Sequence, residues 1–277
     1  AVTCATDGSD YEYDEVIAEL GARVVRTNHC PNHAWRGLNP SKAVSTGSAL
    51  YSYPANPMYE PTQTVSLAFR RGSVGTLFSG AMLFSNYAGA AAGGLESYYN
   101  SATFLEGDTL DECGCHAATS ATASYHCHTP PSCLLANLGA SKTEHSPQIG
   151  WAADGFPVYG PRGPDGLLIR LCSSYDPFLD EPPAFCLDDC SGFHGPLPID
   201  AFLYRYYVTG PYHDANSAET CEAPLDPLPG EAYYPFTPQC LNGCAPAGSF
   251  ETWLNPCTSS AQPGYTVAYT PLARAKL

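Results

Sequence analysis

Thirteen cysteines in 277 residues constrain this chain more than any other feature. So many sulfurs are either metal-bound thiolates in a reducing compartment or disulfides in an oxidising one. Zinc-ribbon spacing is missing: Cys113-Gly114-Cys115 and Cys240-x-x-x-Cys244 are not paired C-x-x-C knuckles. The expectation is a disulfide framework and a secreted, extracellular or cell-surface location. The chain starts at Ala1 without Met, as a mature chain does after signal-peptide removal. The odd count leaves one cysteine that is free, bridges chains or holds something.

Charge narrows the function. Twelve Lys and Arg against 27 Asp and Glu give a net charge of −15. Nucleic acid is excluded as a partner, because phosphate contacts need a basic face. Docking on anionic lipid is disfavoured for the same reason. No stretch reads as a membrane span. Gly72 to Leu95 is uncharged, but Ser73, Thr76, Ser79, Ser85 and Asn86 interrupt it, and its glycines fit a buried strand and turn.

Apolar residues alternate or run short between Gly and Pro breaks, with no long amphipathic helix. Val24-Val25, Val65 to Phe69 and Gly75 to Phe84 read as strands. Leu95 to Leu110 holds one helix or a long loop. The expected fold is mainly β, β-sandwich-like or irregular, with long ordered loops and a few short helices. Residues 1–22 form an acidic lead-in. Their carboxylates do not match a calcium loop, which leaves a solvated segment or short helix.

One internal pseudo-repeat spans 110–133 and 187–240. Its first copy is Leu110-Asp111-Glu112-Cys113-Gly114-Cys115-His116, then Tyr125-His126-Cys127-His128. Its second is Leu187-Asp188-Asp189-Cys190-Ser191-Gly192-Phe193-His194, then Tyr204-Arg205-Tyr206-Tyr207. An Asp-acid-Cys turn feeds a Tyr-rich strand in both, and each ends toward another cysteine, Cys133 or Cys240.

These segments resemble the secreted YHYH-domain proteins. The resemblance runs from about Arg23 to about Cys244. Arg23 to His33 looks like the family's opening, and Leu110 to His116 with Tyr125 to His128 like its D-E-C-G-G-H and Y-H-Y-H elements. His145 to Pro161 is close to its most specific segment, and Phe236 to Gly243 is similar to its ending. The resemblance implies a single domain over 23–250 with a C-terminal extension at 251–277. It also implies a secreted protein that binds a metal. The sequence departs from the family at Arg205 and Tyr207, which stand where the family often has two histidines, and at Cys115 and Cys127 in the first copy. If the family needs histidines from both copies, half a site is lost here. Matching the family's cysteine positions, the expected disulfides are Cys113–Cys133 and Cys190–Cys240. Cys115–Cys127 is expected because two departures gained together are most simply one bridge.

His126 and His128 are two apart, so on a strand both imidazoles share one face and Cys127 takes the other. With His116, ten residues upstream, they form a three-imidazole set suited to copper or zinc. His145 is the leading further ligand, since the His-Ser-Pro turn delivers it from a neighbouring segment. Glu112, Asp154, Tyr159 and His194 are candidates for the surrounding shell or pocket. The bland alternative for His126 and His128 is a pair of hydrogen-bonded strand residues beside aromatic rings. Asp154-Gly155-Phe156-Pro157-Val158-Tyr159 reads either as a turn that brings a carboxylate and a phenol to one pocket wall, or as a structural corner. His29 and His33 sit on a Pro-broken loop, which a disulfide at Cys30 is expected to pin.

No G-x-S-x-G elbow, Gly-rich phosphate loop or H-E-x-x-H is present, and catalytic residues are not named. Three functions remain. The first is an extracellular protein that binds a divalent metal. The second is a structural or interaction component of an extracellular or cell-surface assembly, with a degenerate metal site and a protein partner. The third is a metal-dependent enzyme, possibly hydrolytic.

Overall fold

The computed structural model describes residues 2–18, 21–35, 44–45, 47–67, 73–88, 98–117, 124–175, 183–212, 233–245 and 254–266. The fold is mainly β, as the sequence implies. Strands β1 (Tyr13–Ile17), β2 (Ala22–Thr27) and β3 (Ala49–Pro54) form an antiparallel sheet in the order β1-β2-β3. The acidic lead-in is therefore neither a loose segment nor a short helix: its last strand pairs with β2 across the expected boundary at residue 22.

The principal sheet has eight strands: β4 (Ser73–Leu77), β5 (Met82–Phe84), β6 (Cys115–Ala117), β7 (Tyr125–Cys127), β8 (Gln148–Ala152), β9 (Pro157–Tyr159), β10 (Gly192–His194) and β11 (Tyr204–Tyr207). Their spatial order is β6-β7-β5-β4-β8-β9-β11-β10. β4 and β8 pair antiparallel at the centre. Outward from them, each side has an antiparallel neighbour, then a parallel pairing, then an antiparallel edge strand. The two Asp-acid-Cys turns thus open the two opposite edge hairpins.

Gly75 and Gly150 permit the central pairing. A Cβ on Gly75 would lie 1.9 Å from the Trp151 carbonyl oxygen, and one on Gly150 2.3 Å from that of Thr76. The uncharged run from Gly75 to Phe84 is not one strand but a hairpin. Phe78 to Ala81 form its turn, with Gly80 at φ 79° and Leu77 N–H donating to the Ala81 carbonyl at 2.9 Å. Both strands are largely buried, so apolarity alone hid the reversal. In the 95–110 stretch the described residues hold one short helix, α1 (Ala102–Leu105), flanked by 3₁₀ turns. Phe69 and Leu95 lie outside the described residues.

The three-stranded sheet packs on the principal one through polar as well as apolar contacts. Arg23 is buried, lies 3.4 Å from the Trp151 ring centroid and pairs with Glu15. The Trp151 indole N–H donates to the same carboxylate at 2.9 Å. Among the described residues no helix is long and apolar enough to cross a membrane.

Six disulfides join twelve of the cysteines: Cys4–Cys30, Cys113–Cys133, Cys115–Cys127, Cys172–Cys186, Cys190–Cys240 and Cys244–Cys257. Cys221, the thirteenth, lies outside the described residues. Cys113–Cys133 ties the first edge hairpin to helix α2 (Ser132–Asn137), and Cys4–Cys30 holds the loop of His29 and His33.

Each edge turn is clamped by its aspartate. Asp111 Oδ1 accepts from the N–H groups of Cys113 (2.9 Å) and Cys115 (3.3 Å), and Oδ2 accepts from the Tyr125 hydroxyl (2.6 Å). Asp188 accepts from Cys190 N–H (2.9 Å), Gly192 N–H (2.8 Å) and the Tyr204 hydroxyl (2.9 Å). Gly114 (φ 76°) and Ser191 (φ 62°) take the left-handed conformation at matching places. Asp188→Ala strips partners from two N–H groups and from the buried Tyr204 hydroxyl. It is expected to lower unfolding free energy by about 2–4 kcal/mol. Urea unfolding with disulfides intact checks this; a loss below about 0.5 kcal/mol would mean the turn holds without its carboxylate.

Candidate metal centre

His116 on β6 and His126 on β7 are direct cross-strand partners, and His128 follows β7 by one residue. All three are buried, with 3–5% of their surface exposed. Their ring centroids form a near-equilateral triangle with sides of 4.6, 4.8 and 5.3 Å. One nitrogen from each lies within 4.8 Å of the others. Cys115 and Cys127 are paired in register one residue away from His116 and His126, so their bridge lies on the opposite face of the hairpin.

Hydrogen bonds fix the tautomers. His126 Nδ1 is 2.9 Å from the Ser124 carbonyl oxygen, and His128 Nδ1 is 2.9 Å from that of Ser85. A carbonyl only accepts, so both Nδ1 atoms carry the proton. His116 Nδ1 is 2.6 Å from the Thr109 hydroxyl, whose single hydrogen goes to the Glu106 carbonyl at 2.6 Å. Thr109 therefore accepts from His116 Nδ1–H. Burial holds all three rings neutral. It pushes His126 down to about 4, pushes His116 down to about 3 with help from His126, and holds His128 well below the usual histidine range.

The consequence is an unprotonated Nε2 on each ring, with 3.0 Å between those of His116 and His126 and one nitrogen of each ring within 4.8 Å of the others. Two lone pairs at that separation repel, and no proton is left to place between them. The donor set fits a divalent cation: ligands at 2.0–2.1 Å in a tetrahedron lie about 3.3 Å apart. Phe84 stacks on His126 with centroids 4.2 Å apart and forms an apolar wall.

The other expected ligands and shell residues lie elsewhere. His145 is not in the cluster; its Nε2 is 2.8 Å from the Tyr207 hydroxyl, and its ring packs on Tyr159. Asp154 and Tyr159 have different hydrogen-bond partners. Asp154 accepts from the Tyr206 hydroxyl (2.6 Å) and Gly243 N–H (2.9 Å), whereas the Tyr159 hydroxyl donates to Asp200 (2.7 Å). His194 is exposed and stacks on Tyr59, and Glu112 is exposed beside the Asp111 turn. At the other edge of the sheet, the positions that match His116 and His126 in register hold Phe193 and Arg205, with Tyr207 matching His128. Arg205 is fully buried and makes a two-point pair with Asp200, at 2.9 and 3.3 Å. His33 also approaches the Cys113 and Cys133 sulfurs, but these are bonded to each other and cannot ligate.

Sequence reasoning missed Glu106, Thr109, Phe84 and the carbonyls of Ser85 and Ser124. Backbone carbonyls leave no mark in a sequence. Glu106 and Thr109 sit in the stretch whose conformation was undecided between helix and loop.

The chain belongs to the YHYH protein family, whose model matches residues 50–233. That span includes the three histidines and both Asp-acid-Cys turns but not the segments Arg23–His33 and Phe236–Gly243. No curated protein and no solved structure matches the chain.

Burial raises the Asp154 carboxyl from 3.8 to about 6, against its three hydrogen bonds. The folded state thus holds this proton more tightly than the unfolded chain does. The stability it contributes is complete below pH 3.8 and is lost as pH rises through about 6. At about 1.4 kcal/mol per pKa unit, the wild type should lose roughly 3 kcal/mol relative to Asp154→Asn between these limits. Parallel urea titrations measure that difference. A wild type that instead gains on the variant with rising pH would show the carboxylate to be held as an anion.

Proposed function

We propose that this protein is a secreted or cell-surface YHYH protein that holds one divalent metal ion, copper or zinc, through His116, His126 and His128. The observation that carries this reading is the convergence of three buried imidazoles, one nitrogen of each within 4.8 Å of the others, with every Nδ1 proton committed to an oxygen. Hydrogen-bonded strand histidines with no further task would not need their free nitrogens to converge. Imidazole nitrogen suits both zinc and copper, and a bound ion would offer Lewis acidity at the site. The chain's own contribution is orientation: Thr109, Ser124 and Ser85 fix the ring planes and keep Nε2 unprotonated. The near-complete burial of the rings favours retention of an ion over turnover of a bulky substrate. Six disulfides support an oxidising compartment.

Elemental analysis and calorimetric titration with zinc and copper(II) test the proposal. Wild type should take up one ion per chain. The double variant His126→Ala/His128→Ala should take up none while keeping its disulfides and circular dichroism. Equal uptake by both proteins, or none by the wild type, sinks the reading.

Thr109→Val removes the acceptor for His116 Nδ1–H while leaving all three ligands. It should keep the one-ion stoichiometry and weaken binding about 10- to 100-fold. An unchanged affinity in competition titration would show that Thr109 does not orient the ring.

A further inference from the structure

We propose that two copies of this chain associate through β3, which pairs antiparallel with β3 of the second copy and joins two three-stranded sheets into one of six strands. β1 and β3 are the edges of the small sheet, and among the described residues no strand pairs with the outer side of either. An edge strand offers a row of backbone donors and acceptors that another chain can complete, and charged side chains are the usual guard against this. β1 is guarded, since it carries Asp14 and Glu15. β3 reads Ala49-Leu50-Tyr51-Ser52-Tyr53-Pro54, and no charged residue stands between Lys42 and Glu60. This asymmetry selects the edge.

The ladder to β2 decides which backbone groups of β3 face outward. Ala55 N–H donates to the Gly21 carbonyl at 2.8 Å. Hydrogen-bonded and non-bonded positions alternate along an antiparallel pair, so Tyr53 and Tyr51 bond to β2 while Leu50, Ser52 and Pro54 turn their backbone groups away. Pro54 has no N–H to give, which a sheet tolerates on an edge strand. Leu50 and Ser52 each present one N–H and one C=O. A two-fold axis at Tyr51 sets Leu50 of each copy opposite Ser52 of the other, and each such pair exchanges two N–H···O=C bonds. The Leu50 side chain, 62% exposed, is covered in the process.

Charge favours a second copy as the occupant. The chain carries a net charge of −15, so two copies meet only where carboxylates are distant. The cross-strand row through Leu50 continues to Arg26 and then Asp14, and the row through Tyr51 continues to Val25 and then Glu15. Both carboxylates therefore lie two strands from β3, about 9.5 Å away. A basic partner would find no anion on β3 to pair with, whereas a copy brings an uncharged β-forming strand of the same length. The strand is also ordered in advance: Tyr51 stacks on Tyr53, and its hydroxyl is 2.8 Å from His29 Nε2.

Sedimentation velocity at rising protein concentration, with amide hydrogen exchange at both ends of the range, tests the proposal. Wild type should shift from monomer to dimer, and exchange at the Leu50 and Ser52 N–H groups should slow with it. Leu50→Lys sets an ammonium group on each joined strand and should weaken the dimer about 10-fold or more, with circular dichroism unchanged. Val16→Lys adds the same charge at an exposed position on β1 and should leave the dimer as in wild type. A chain that stays monomeric at every concentration overturns the proposal. So does a dimer that Leu50→Lys leaves intact, or one in which those two amides exchange as in the monomer.

Discussion

The fastener on which this fold depends is the buried tyrosine–aspartate hydrogen bond. Tyr125–Asp111 and Tyr204–Asp188 lock the two edge turns, Tyr206–Asp154 joins β11 to the corner after β8, and Tyr159–Asp200 links β9 to the loop before β11. Short strands with many glycines and prolines bury limited apolar surface per element. A phenol adds a large ring to the core and ends in a donor that satisfies a desolvated carboxylate. Disulfides then close the same turns covalently. An acidic chain with few lysines keeps carboxylates inside because tyrosines, backbone N–H groups and the buried Arg23 and Arg205 answer them.

The two edges of the principal sheet use one scaffold for opposite electrostatic ends. At one edge, three neutral buried imidazoles come together. At the other, Arg205 stands at the place of His126 and carries its own permanent charge, neutralised by Asp200. On the proposed reading, the first arrangement takes up a cation. The second is complete as translated, which is why it tolerates Phe193 and Tyr207 at the remaining positions.

Much of the site could be read from spacing. His126 and His128 share a face because a strand alternates, and the turn at Cys113 returns His116 to them across β6 and β7. The mainly β character followed from short apolar runs between Gly and Pro. The failures have physical causes. The Gly75–Phe84 run is buried on both faces, so no alternation revealed the turn at Gly80. The acidic residues before β2 looked solvated because Tyr13–Ile17 alternates half-buried with exposed positions as an edge strand. His145 was expected in the cluster because the His-Ser-Pro turn could deliver it from a neighbouring segment, whereas its partner is Tyr207, 62 residues away in the chain. Thr109 was invisible because its place depends on short turns after a four-residue helix, not on any periodic pattern.

The bridge between Cys115 and Cys127 ties β6 to β7 directly behind the paired histidines. In small domains that fold around zinc, the ion supplies the energy of chain ordering, and its removal unfolds them. Here that ordering is completed by oxidation. On the proposed reading, an incoming ion would meet a preorganised ring of donors, and its full affinity would be expressed as binding rather than spent on folding. Loading would then be a late and reversible event in the life of the protein, and a chelator would empty the chain without unravelling it.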